Sequence, residues 1–306
     1  AIGYQAGKAI TSGRYSTFVG YAAGYSSDTN DGNTFIGYLA GYEADASTVV
    51  AGQNTYIGAF AGRFLDDGTD NVAIGYDAMA SNSDGAANAV NYSIAIGRNA
   101  MASSDSNQGT IAIGYYANDH ASADVDNAVI IGREAGRGAM TSGADGTVAI
   151  GYAASQALTS GARNTSIGYQ SALNNATGTD GTFLGYQSGL NVLLNYNTGI
   201  GSYTLQKLGT TGGGGAGENN TAIGALAMSG GDDTVANNTA KNNVAVGYAT
   251  LGGATKSSDG SAFTTNSSVA IGYQALTTIT TGTNNVAVGS QAGYSTDSNG
   301  SNVFIG

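Results

Sequence analysis

Residues 33–41 read Asn-Thr-Phe-Ile-Gly-Tyr-Leu-Ala-Gly, and residues 71–79 return as Asn-Val-Ala-Ile-Gly-Tyr-Asp-Ala-Met. A repeated phrase of this kind must be followed along the chain before domains are counted, because it sets the architecture. Its glycine recurs at Gly3, Gly20, Gly37, Gly58, Gly75, Gly97, Gly114, Gly132, Gly151, Gly168, Gly185, Gly201, Gly224, Gly247, Gly272, Gly289 and Gly306. Eight of the 16 intervals are 17 residues and the others run from 16 to 25. The whole of 1–306 therefore reads as a single repeat array, with regular coils over 1–201 and 272–306 and longer-loop coils over 201–272.

Alignment on this glycine gives each column a physical meaning. The residue before it is always Ile, Val or Leu, and the residue three before it is always Thr, Val or Ile. Asn dominates four before, Tyr fills 10 of 16 positions one after, and Ala, Ser or Thr stands three after. A short β-branched run that follows Asn and ends on Gly is a strand signal. The stretch that varies in length, rich in Ser, Thr, Asn, Asp and Gly, reads as the turn back to the next copy. The fold expected is all-β: a parallel β-solenoid of about 16 coils, mostly of 17 residues. At ~4.8 Å per stacked strand it would extend roughly 75–80 Å. The Tyr-x-Ala segment after the glycine is expected to form a second short strand.

Alternation along the strand places the β-branched residue and the Ile on one face. Ile36, Ile57, Ile74, Ile96, Ile113, Ile131, Ile150 and Ile167 are accordingly expected in the core of the coil. The opposite face would carry Phe18, Phe35, Ala73, Ala95, Ala112, Ile130, Ala149, Phe183, Ala222, Ala245, Ala270, Ala287 and Phe304, with no charge anywhere in that column. An uninterrupted apolar stripe marks an interface, so this second face is expected to bury itself against other copies of the chain.

Composition excludes several classes. The chain has 50 Gly, no Pro, Cys or Trp, and a net charge of −11 from 10 Lys+Arg and 21 Asp+Glu. Collagen needs Pro and a three-residue glycine period, and thiolate metal sites need Cys. A pI near 4.2 with singly scattered Lys and Arg argues against nucleic acid or anionic membrane as partner. No apolar stretch approaches a membrane span, and no signal peptide is recognisable.

The segments Asn71–Ala78, Asn243–Thr250, Ser268–Ala275 and Asn285–Ala292 resemble the YadA-like head repeat of trimeric autotransporter adhesins. The variant Asn33–Gly41 resembles repeats of bacterial surface proteins and phage tail fibres. The resemblance spans essentially the whole chain. It implies a left-handed β-roll, three copies associated along the apolar column, and a place at a cell or virion surface.

Candidate chemistry is sparse. The single histidine, His120, sits in a polar loop with no recurring partner, and no Gly-x-Ser-x-Gly elbow occurs. Gly212, Gly214 and Gly217 match Gly-x-Gly-x-x-Gly formally, but a solenoid strand follows where the dinucleotide fingerprint needs a helix. Asp66, Asp67 and Asp70 form a weak candidate calcium cluster, as do Asp124 with Asp126 and Asp232 with Asp233; solvated turns account for them better. A ladder of Tyr21, Tyr38, Tyr76, Tyr115, Tyr152, Tyr169 and Tyr186 could stack on sugars, though packing explains it more simply. The Thr column, interrupted by Val and Ile, reads as core and not as an ice-ordering hydroxyl array. The expectation is a non-enzymatic shaft or head of an extracellular fibre, a homotrimer able to stack end to end, without cofactor. The rival is a carbohydrate- or calcium-dependent module that contacts a host glycan or protein through the Tyr column or the Asp loops.

Overall fold

The computed structural model describes residues 1–27, 31–43, 52–65, 68–81, 90–103, 106–119, 125–208, 217–230, 239–252, 264–296 and 300–306. Its contacts divide the chain into two compact units, Ala1–Ile150 and Gly151–Gly306. Unit 1 contains β1 Thr17–Val19, β2 Thr34–Ile36, β3 Thr55–Ile57, β4 Val72–Ile74, β5 Ile94–Ile96, β6 Ile111–Ile113, β7 Val129–Ile131 and β8 Val148–Ile150. Unit 2 contains β9 Thr165–Ile167, β10 Thr182–Leu184, β11 Thr198–Ile200, β12 Thr221–Ile223, β13 Val244–Val246, β14 Val269–Ile271, β15 Val286–Val288 and β16 Val303–Ile305. In each unit every strand pairs in parallel with the next in sequence, which is a β-solenoid. One 3-10 turn at Ser142–Ala144 is the helical element among the described residues.

Register holds the columns without slippage: Thr34 lies opposite Thr55, Phe35 opposite Tyr56, and Ile36 opposite Ile57. Each strand has three residues, so its middle residue points one way and its two outer residues the other. The expected assignment of these faces is inverted. Phe18, Phe35, Ala73, Ala95, Ala112, Ile130, Ala149, Phe183, Ala222, Ala245, Ala270 and Ala287 are buried inside their own coils, and Phe304 packs partly buried against that core. Ile36, Ile57, Ile74 and Ile167 are instead exposed, at 36–38%, and Ile96, Ile113, Ile131 and Ile150 are half-buried.

The reason is the narrowness of the coil. The middle residue of the strand faces the segment three and four residues after the glycine, and the two positions share one small volume. Where the strand offers Phe35, Tyr56 or Phe183, the opposing residue is Gly41, Gly62 or Gly189. A Cβ on Gly41 would lie 2.6 Å from the Phe35 ring. Where the strand offers Ala73, Ala95 or Ala222, the opposing residue is Met79, Met101 or Met228, each buried. In these coils a large side chain meets a small one, as close packing requires; elsewhere, as at Ala149 and Ser155, both positions are small and further side chains such as Leu158 are buried.

The segment after the glycine is not the second strand that its sequence suggested. The residue two after the glycine has positive φ in all 16 coils, from Gln5 (55°) and Ala22 (47°) to Gln274 (53°) and Gln291 (59°). The residue four after it does so too, glycine or not, as at Met79 (53°) and Leu276 (50°). This alternation sends successive amides in opposite directions along the stack. The Leu39 N–H donates back to the Tyr21 carbonyl at 2.9 Å, and the Gly41 N–H donates forward to the Ala61 carbonyl at 2.9 Å. The segment thus joins its neighbours by hydrogen bonds without β geometry.

The glycine itself is fixed sterically. Gly75 has φ +134°, and a Cβ there would sit 2.6 Å from the Gly97 carbonyl oxygen. The column of Asn before the strand is a buried ladder and not a row of solvated turns. Asn54 N–H donates to Asn33 Oδ1 (2.9 Å), Asn71 N–H to Asn54 Oδ1 (3.0 Å) and Ser93 N–H to Asn71 Oδ1 (3.0 Å). The Asn71 amide donates in turn to the Val90 carbonyl at 2.6 Å, tying the returning loop to the strand. Stacked amides of this kind satisfy buried polar groups repeat after repeat.

Candidate functional site

Two surfaces remain once the interior is accounted for. The first is the outward face of the strands. It carries Thr, Val or Ile three before each glycine and Ile, Val or Leu one before it, with no charged residue in either column. Ile200, Ile223, Val244, Ile271, Val286 and Val288 are all exposed on it in unit 2. Eight strands at ~4.8 Å spacing and three residues each present roughly 400 Å² of this face per unit, comparable to the largest apolar patch of an ordinary monomer. The Thr column therefore lies at the surface, which removes the reason for counting it as core.

The second surface is the aromatic ladder beside that face. Tyr21 stacks on Tyr38 with ring centroids 5.3 Å apart and planes 18° apart, and Tyr169 on Tyr186 at 5.3 Å and 11°. Tyr152 stacks on Tyr169 at 5.0 Å. Where the column lacks Tyr, other side chains continue it. Phe60 inserts edge-on between Tyr38 and Tyr76, Arg98 lies over Tyr76 at 5.4 Å, and Arg133 lies over Tyr115 at 5.8 Å. Arg98 and Arg133 occupy the Tyr column itself, one after their glycines, so column position was the signal that could have added them to the ladder. In the tyrosine runs the rings stack face to face, and Tyr21, Tyr38, Tyr76, Tyr115, Tyr169 and Tyr186 all remain exposed. Stacking a sugar on these rings would require a free face, and within the runs Tyr21–Tyr38 and Tyr152–Tyr169–Tyr186 the rings stack on one another instead.

The acidic candidates separate by position. Asp70 stands five before its glycine with φ 56°, a left-handed site that Asp tolerates. Asp126 accepts from the Gln108 N–H at 2.8 Å, while its own N–H donates to Asp145 Oδ1 at 2.9 Å. Its carboxylate is thus engaged in bracing adjacent coils. Asp66, Asp67, Asp124, Asp232, Asp233 and His120 lie outside the described residues, as do Gly212 and Gly214. Among the described residues no three acidic or His side chains gather in metal-binding proximity. No helix among them is long and apolar enough to cross a membrane.

Burial pushes the Tyr56 phenol far above its ordinary range. Its hydroxyl has no hydrogen-bond partner and stands in a strand position that Phe occupies in other coils. Arg163 and Asp180 form an exposed bidentate pair at 2.7 and 2.8 Å across adjacent coils, and that contact holds the Asp180 carboxyl below its usual range. No protein-family model and no curated protein matches the chain.

Proposed function

We propose that this chain is a non-enzymatic structural segment of an extracellular fibre, in which three copies associate through the outward strand face. The observation that carries this reading is the pair of uncharged columns on the outward strand face, exposed or half-buried from coil to coil and kept in register by parallel pairing. Such a face presents the same contacts at each strand step, so another copy meets it equally along its length. A charged rim on the loops would keep the remaining surface soluble. The number three and the surface location follow from the resemblance to adhesin-head and tail-fibre repeats. The interface proposed here differs from the one the sequence suggested, since the Ala/Phe column points into the coil.

Sedimentation and native mass spectrometry test the reading. A concentration-independent mass near three times 30.3 kDa is expected. The triple variant Ile36→Arg, Ile57→Arg, Ile74→Arg should reduce it to the single-chain mass while leaving the circular dichroism spectrum unchanged. A wild-type chain that sediments as a monomer at all concentrations overturns the proposal.

A further inference from the structure

The repeat is broken in one place in a way that builds a cleft. Five residues after the glycine, successive coils carry Lys8, Tyr25, Tyr42 and Arg63, a second rail beside the Tyr ladder. Lys8 Nζ donates to the Tyr25 hydroxyl at 3.0 Å, and Tyr25 stacks on Tyr42 at 5.1 Å. Where the rail reaches Tyr42 and Arg63, a cleft of about 340 Å³ is lined by these two together with Gln5, Tyr21, Tyr38, Leu39 and Phe64. Later coils place residues such as Ala80, Ala102 and Leu173 five after the glycine, and Arg137 and Tyr294 recur there singly, without a neighbouring aromatic or basic residue in the same column.

The chemistry of the cleft has one sign. Aromatic rings are negative on their faces and positive at their edges, and here the faces are covered by stacking. Tyr21, Tyr38 and Tyr42 bring three phenol side chains to its wall. The Arg63 guanidinium is clamped against Phe60 and Phe64 at 4.7 and 4.6 Å, and its Nε donor has no acceptor. Asp77 is the carboxylate influenced by Arg63, and it is shared with Arg98. That Nε is itself buried, as is the unpartnered Oδ1 of Asp77; what marks the cleft is that Arg63 is the one charged residue among those lining it, so an anionic group complements it.

We infer that this cleft binds a short acidic saccharide, its carboxylate on Arg63 and its hydroxyls on the tyrosine phenols and Gln5. The inference is independent of the fibre proposal, because the cleft lies beside the ladder and uses none of the outward strand columns.

Saturation-transfer NMR on the full chain with trigalacturonate, against the neutral galactose trimer, tests it. Saturable binding of the uronide is expected, at least tenfold tighter than the neutral trimer. Arg63→Gln should weaken it more than tenfold. Leu39→Asp should do the same by placing a negative charge in the lining, and Asp77 shows that the column accommodates Asp. Arg137→Gln, at the same column position but stacked on Tyr116 away from the cleft, should bind as wild type. Absence of saturable binding, equal binding of both trimers, or binding unchanged in Arg63→Gln and Leu39→Asp overturns the inference. Trimer mass is measured on the same samples, so failure of one proposal is read separately from the other.

Discussion

The coils at β2 and β4 share a backbone and differ in how they fill it. At β2 the strand contributes Phe35 and the opposing segment Gly41; at β4 these become Ala73 and Met79. Backbone hydrogen bonds, the positive φ four after the glycine and the register are retained. The comparison teaches that a coil has one interior volume, which either wall can supply. The two versions of the repeat are thus one structural unit with its bulk on alternate sides.

The largest expected effect strikes what both coils share. Gly75→Ala places a methyl against the Gly97 carbonyl at a φ that L-residues rarely adopt, and should cost about 4 kcal/mol in urea denaturation. A loss under half that size would mean the coils separate more easily than the stack implies. Next comes the difference between the coils. Phe35→Ala alone should cost about 3 kcal/mol as a cavity, and Gly41→Met alone should be destabilising through overpacking. Together they convert the β2 coil to the β4 arrangement, and a double-mutant cycle should return a favourable coupling of about 2 kcal/mol. Additive losses would show that the two positions do not share a volume.

Smaller effects sharpen the comparison. Tyr56→Phe removes an unpartnered buried hydroxyl and should stabilise the chain by about 1 kcal/mol. The phenol pKa is raised on folding, so the wild-type contribution is complete below pH 10 and falls as pH rises above it. A urea midpoint that declines above pH 10 less steeply in Tyr56→Phe checks the sign, read as the difference between the two proteins. Gln170→Gly relieves a left-handed residue at φ 53° and should gain at most about 1 kcal/mol, visible as a small rise in melting temperature. Gly does not occur at this position in any of the 16 coils, and Gln170 Oε1 accepts from Gln187 Nε2 at 2.7 Å, so a loss on substitution would mean that this bond between coils outweighs the strain.

Much of this was legible from residues alone. The glycine spacing located every strand, because a β-branched run ending at Gly has few other uses. The volume exchange was also present in the sequence, as Phe with Gly and Ala with Met at a six-residue offset. It was readable only by comparing two columns jointly, and single-column reading missed it. The αL run after the glycine was hidden for a different reason: Gln, Leu, Tyr and Glu occupy positions where propensity would ask for Gly or Asn. There the inter-coil hydrogen bonds override local preference.

By itself the sequence determined the period, the strand positions, the parallel stacking and the pairing of outer residues on one side of each strand. Which side faced inward was decided by the tertiary structure alone. Alternation has period two and is indifferent to direction, so Ile and Thr could in principle have been core or surface. The coil closes on little space, filled at β2 by Phe35 against Gly41 and at β4 by Met79 against Ala73, and the paired columns of Ile and Thr, Val or Ile are left outside. That closure turns a column of isoleucines from an expected core into the exposed face on which the assembly proposal rests.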